Sequence, residues 1–109
     1  MIDYIAALGV SLVQEPVPSD QRVAGDPTTG YEAVGSYADR ELGVWEMTPG
    51  TMSDVEADEL FIVLAGSATV EFLDDDTSVE LFPGFVGRLE AGTRTVWTVH
   101  ETLRKVCLS

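Results

Sequence analysis

Cysteine, histidine and positive charge are what this chain of 109 residues has least of: one Cys, one His and six Lys or Arg against nineteen Asp or Glu. Each scarcity excludes something. A lone Cys107 cannot close an internal disulfide, which agrees with a reducing compartment. His100 is the only imidazole available to activate that thiol, and nothing in the sequence brings the two together, so a buried inert Cys107 is the expectation. A formal net charge of −13 repels phosphate backbones and anionic lipid heads, so neither nucleic acid nor a membrane surface is an expected partner. The acidity itself fits solubility, a salt-adapted host or a cationic partner. No apolar run approaches the ~20 residues that span a bilayer. The first residues lack the basic region of a secretory signal, and the expectation is a soluble, cytoplasmic protein.

What is present points to β structure. A hydrophobic fraction of 45%, with ten glycines and five prolines, fits one folded, turn-rich domain with a real core. Residues 1 to about 12, carrying Tyr4, Ile5, Ala6, Ala7, Leu8, Val10, Leu12 and Val13, form a short amphipathic piece, a helical turn or an edge strand. Residues 14–30 hold Pro16, Pro18, Gly25, Pro27 and Gly30 among polar residues and read as an irregular arm. From Tyr31 on, short alternating segments separated by turns indicate a sandwich or barrel. The expected division is an N-terminal segment and arm over 1–30 and a barrel over 31–109.

In the barrel region Gly43 to Thr48 reads as a strand closed by Pro49-Gly50. Asp58-Glu59-Leu60-Phe61-Ile62-Val63-Leu64-Ala65-Gly66 then leads two carboxylates into an unbroken apolar run, expected to be a strand buried on both faces and ended by Gly66. Ser67 to Leu73 alternates, Asp74 to Thr77 makes a hairpin turn, and Val79 and Leu81 resume the alternation. The aspartate run lacks the spaced ligands of a calcium loop. Pro83-Gly84 and Glu90-Ala91-Gly92 make further turns around a short strand, Phe85 to Leu89. The last hairpin is expected from Thr93 to His100 and from Leu103 to Leu108. His100 is expected exposed at a strand end.

Glu59-x6-Gly66 and Gly84-x5-Glu90-x-Gly92-x-x-Thr95 resemble the two conserved motifs of the cupins. Gly43-Val44-Trp45-Glu46, Asp58-Glu59, Leu64-Ala65-Gly66 and Trp97-x-Val99-x-Glu101-x-x-Arg104-Lys105 resemble the small single-domain cupins related to the ethanolamine-utilisation cupin and the cupin domain of ureidoglycine aminohydrolase. The resemblance covers residues 31–108. It implies an all-β double-stranded β-helix, a jelly-roll barrel with an irregular N-terminal arm, commonly a homodimer, with a pocket inside. Metal-binding cupins place histidines and a glutamate around iron, manganese, nickel or zinc. Here the first-motif positions fall on Ser53 and Val55 or on Met52 and Asp54, depending on spacing, and the second-motif position falls on Thr95. No metal and no cofactor are expected.

With Thr95 inward, strand parity places Trp97 and Val99 beside it, Glu59 brings Phe61 and Val63, and Trp45 and Met47 join them. This gives an aromatic, apolar pocket with one glutamate, or a filled core made of the same residues. Lys105 enters the barrel if Leu103 and Cys107 do, which makes Glu59 and Lys105 the candidate acid–base pair. A direct contact between them would pair the charges and favour a structural role. The function expected is metal-independent binding of a small polar metabolite. The alternatives are a metal-free lyase, isomerase or hydrolase using Glu59, with Lys105 or Thr95 holding an oxyanion, and a structural or regulatory subunit with a filled barrel.

Overall fold

The computed structural model describes residues 4–109, so the first three residues of the expected amphipathic piece lie outside the described residues. One 3-10 turn, Ala7–Gly9, precedes nine strands: β1 Glu15–Pro16, β2 Arg22–Ala24, β3 Thr28–Tyr37, β4 Arg40–Met47, β5 Gly50–Val55, β6 Glu59–Phe72, β7 Thr77–Leu81, β8 Val86–Leu89 and β9 Arg94–Leu108. All pair antiparallel in one sheet that curls into a jelly-roll half-barrel. No described helix is long and apolar enough to cross a membrane.

The long strands β6 and β9 form the spine. They pair along their whole length, from Leu60 with Leu108 to Phe72 with Thr95. On its other edge β9 changes partner, pairing with β5 through Arg94 to Val99 and with β4 through Leu103 to Leu108. The expected final hairpin is therefore one continuous strand. Glu101-Thr102 stays extended because Ser67 of β6 pairs with Glu101, which leaves no free edge to turn on. His100 is exposed within this strand rather than at its end, 2.9 Å from the Thr69 hydroxyl.

The Asp58–Gly66 stretch differs from the expected strand in two ways. Gly66 does not end the strand: at φ +88 it makes a bulge, and β6 runs on to Phe72. The run is also buried on one face only. Phe61 and Val63 are core, whereas Leu60 and Ile62 are 45% and 41% exposed on the outer face, as the two-residue period of a half-buried strand requires. β5 is an element that sequence reasoning passed over, because Met52 is the only buried residue among Thr51, Met52, Ser53 and Asp54.

The stretch expected to be irregular also pairs. β1 lies against β3 and β2 against β5, and β3 already begins at Thr28. The 3-10 turn is fastened from below by Arg104. Its Nη1 donates to the carbonyls of Ala7 and Val10 at 2.9 and 2.7 Å, and its Nε donates to Glu46 at 2.8 Å. Gln14 in turn donates to Glu46 and accepts from Thr28. These bonds give a buried guanidinium the partners it needs. Arg104→Met should therefore free the segment before β1, at a local cost of about 2–3 kcal/mol for charge-assisted bonds. Faster amide exchange at Gly9 with protection of β6 unchanged is the expected readout, and an unaltered Gly9 would contradict it.

Candidate functional site

Inside the barrel β4, β6 and β9 direct three rings and two charges at one point. Antiparallel pairing aligns Trp45 with Lys105 and Val63 with Lys105, so the lysine rises between its two neighbouring strands. Its ammonium donates to Glu59 Oε2 at 2.6 Å. It also lies 4.7, 4.8 and 4.9 Å from the ring centroids of Trp45, Phe61 and Trp97. Lys105 is 4% exposed. A charge buried this far costs several kcal/mol unless it is paired, and here a carboxylate and three ring faces share that work. The inward parity of Leu103, Lys105 and Cys107 is thereby settled, all three being buried.

A second constellation sits at the start of β9. Thr95 donates to Glu56 Oε2 at 2.6 Å, and the Trp97 indole donates to the same oxygen at 2.9 Å. Sequence reasoning did not single out Glu56. Its signal was available: it is the first of three carboxylates, Glu56, Asp58 and Glu59, in the loop entering a buried strand. Asp54 faces the same end of the barrel. Burial first, then the Glu56 charge, raises its carboxyl above the ordinary range. Burial, and next the Glu59 charge, push the Cys107 thiol up to about 11, which agrees with an inert thiol.

Strand register decides which residues take the cupin metal positions. Met52 pairs with Trp97 and Asp54 with Thr95, so these two, not Ser53 and Val55, point inward beside Glu59 and Thr95. A thioether, two carboxylates and a hydroxyl are a poor set for iron, manganese, nickel or zinc. Glu59 is engaged by Lys105, and Thr95 by Glu56. Among the described residues no group of three or more His, Cys, Asp or Glu side chains is arranged to hold a metal ion. The residues present do not fit the group.

Of the candidate pocket residues, Met47, Val63, Thr95 and Val99 are packed into the core with no more than 3% exposure. Phe61 and Trp97 have a cavity on one side. This pocket, of about 220 Å³, opens between β6, β7 and β8, with Phe61, Val70, Phe72, Leu81, Phe85 and Trp97 among its walls. Gly87 keeps it open to the rings: a Cβ there would lie 2.6 Å from Phe61 Cζ. Phe61 and Phe85 stack at 6.1 Å, and Phe82 meets Phe85 edge-on at 5.7 Å near the surface. Neither Glu59 nor Lys105 lines this pocket. Glu59 instead borders a smaller depression of about 160 Å³ with Arg40, Asp58 and Arg88. A broader depression of about 400 Å³, beside Asp20, Asp54 and Arg94, is open to solvent.

A curled jelly-roll sheet enclosing an aromatic interior, with the glutamate of the first motif at the head of β6, defines a cupin. More narrowly, the sequence pattern of the EutQ-like cupin domain matches residues 35–106, and the chain belongs to that family. Solved structures agree on the fold. The chain is similar to the EutQ protein of Clostridium difficile, with TM-score 0.72 and 16% identity over 96% of this chain and 83% of that one. It is also similar to a protein of unknown function from Rhizobium leguminosarum, with TM-score 0.65 and 22% identity over 73% of this chain and 78% of that one. A third likeness is to a protein of unknown function from Pseudomonas syringae, with TM-score 0.78 and 18% identity over 92% of this chain but only 44% of that protein. The chain thus spans less than half the length of this last relative. Identities this low carry the fold alone. No curated protein matches the chain.

Proposed function

We propose that this cupin binds a small organic molecule inside its barrel without a metal ion. The observation that carries the reading is the pocket between β6, β7 and β8, whose floor is Phe61 and Trp97 and whose other walls are apolar apart from Arg88. A dry aliphatic cavity of ~150 Å³ holds a benzene ring. A pocket of about 220 Å³ therefore suits one ring or a short branched chain with a substituent. The body of the ligand is apolar, and its polar handle stays at the mouth. This narrows the polar metabolite expected from sequence.

The acid–base alternative is weaker. The Glu59–Lys105 contact at 2.6 Å pairs the two charges with each other, and both lie outside the pocket lining. The filled-barrel alternative is separated by experiment. Titration calorimetry with single-ring carboxylates, amides and alcohols should give saturable binding. Val79→Phe, which places a ring in the pocket, should abolish that binding while leaving the melting temperature equal or higher, as cavity filling does. Absence of binding across the panel would favour the filled barrel. Pairing with a second copy is proposed as well, since Leu60, Ile62 and Val86 expose an apolar stripe on the outer face of β6 and β8. A monomer mass in sedimentation equilibrium would contradict it.

A further inference from the structure

Lys105 is the only lysine in the chain, and it is buried. A surface-seeking side chain would ordinarily carry its ammonium to water along an apolar stem. Here the ammonium is turned inward, among Trp45, Phe61 and Trp97, and rests on Glu59. The rings brace one another: Trp45 and Trp97 are tilted at 5.8 Å between centroids, and Phe61 and Trp97 at 6.3 Å. Several aromatic faces around a cation, with a carboxylate completing the cage, is the arrangement by which proteins recognise alkylated ammonium ions. The donor set at the head of β6 and β9 does not suit a metal, yet its glutamate still faces a positive charge.

We propose that the ammonium of Lys105 is the barrel's resident cation, held in an ammonium-recognition site made of Glu59, Trp45, Phe61 and Trp97, which a small alkylammonium ion fills when the lysine side chain is shortened. The ligand class is primary or methylated alkylammonium. The site is distinct from the apolar pocket proposed above, with which it shares the Phe61 and Trp97 rings. Val79 lines only the pocket and Lys105 only the ammonium site, so Val79→Phe and Lys105→Ala read the two separately.

The test is the full chain carrying Lys105→Ala. Its melting temperature should fall and then recover with rising methylammonium or butylammonium chloride. Potassium chloride at equal ionic strength and butanol at equal concentration should not restore it. Equal recovery with butanol would reduce the effect to cavity filling and overturn the proposal, as would a folded variant that no alkylammonium stabilises. If the variant does not fold, the native protein decides. With lysine isotopically labelled, its single set of side-chain signals should be shifted to high field by the rings, and an amine-reactive reagent should leave Lys105 unmodified. Signals at ordinary exposed-lysine positions would overturn the proposal.

Discussion

Glu59→Gln is expected to destabilise the fold by about 3 kcal/mol, the lower end of what breaking a buried ion pair costs. The substitution keeps the side chain's size and removes only its charge. Lys105, 4% exposed, would then hold its ammonium against three rings without its hydrogen-bonded counter-charge. The ring faces already make their contribution, about 2 kcal/mol or more each for a desolvated cation, in the native structure, so they do not replace the lost counter-charge. Urea unfolding should show a lower midpoint with an unchanged slope. Adding Lys105→Met to Glu59→Leu should recover much of the loss, because a buried pair replaced by apolar residues of similar volume is often neutral. Additive losses in the double variant would show that the two side chains do not depend on each other.

Gly66→Ala is expected to be at least as damaging, by a different route. At φ +88 an added Cβ would lie 2.0 Å from the carbonyl oxygen of Thr102 and 2.7 Å from that of Glu101. Both are backbone atoms of β9, the strand that pairs with β4, β5 and β6. No rotamer change relieves such a contact, so the β6–β9 ladder must part at the bulge. Backbone strain of about 1–3 kcal/mol adds to an overpacking cost of similar size. Poor soluble yield, or a thermal midpoint many degrees below the native one, is the expected result. Gly84→Ala, where φ is +92 but nothing lies within 4 Å, isolates the strain alone and should cost less. Equal effects at the two positions would remove the steric argument.

Much of the barrel was legible in the sequence because it is written in the two-residue period. Trp45, Phe61, Val63, Thr95, Trp97 and Val99 face inward as their parity requires. The Glu59–Lys105 contact was legible for the same reason, once Leu103 and Cys107 were taken as core. What failed depended on partners rather than on pattern. Gly66 looks like a terminator until β9 is seen crossing behind it, where only glycine leaves room for the Thr102 carbonyl. Leu60 and Ile62 look buried because a run of apolar residues does not reveal that one face has no layer over it. β5 is hidden because one buried methionine among polar residues carries no alternation. Glu56 escaped attention because its partners, the Thr95 hydroxyl and the Trp97 indole, lie thirty-nine and forty-one residues away. Arg104 likewise shows its role only when the 3-10 turn is laid across it.

Inside the barrel Lys105 supplies the positive charge that faces Glu59, among donors that do not suit a transition metal. Elemental analysis of the native protein, purified without chelator and dialysed, tests this most directly. It should find iron, manganese, nickel and zinc well below one equivalent, with a melting temperature that neither chelator nor added divalent ion moves. One equivalent of a transition metal that survives dialysis and is lost in Glu59→Gln would contradict it.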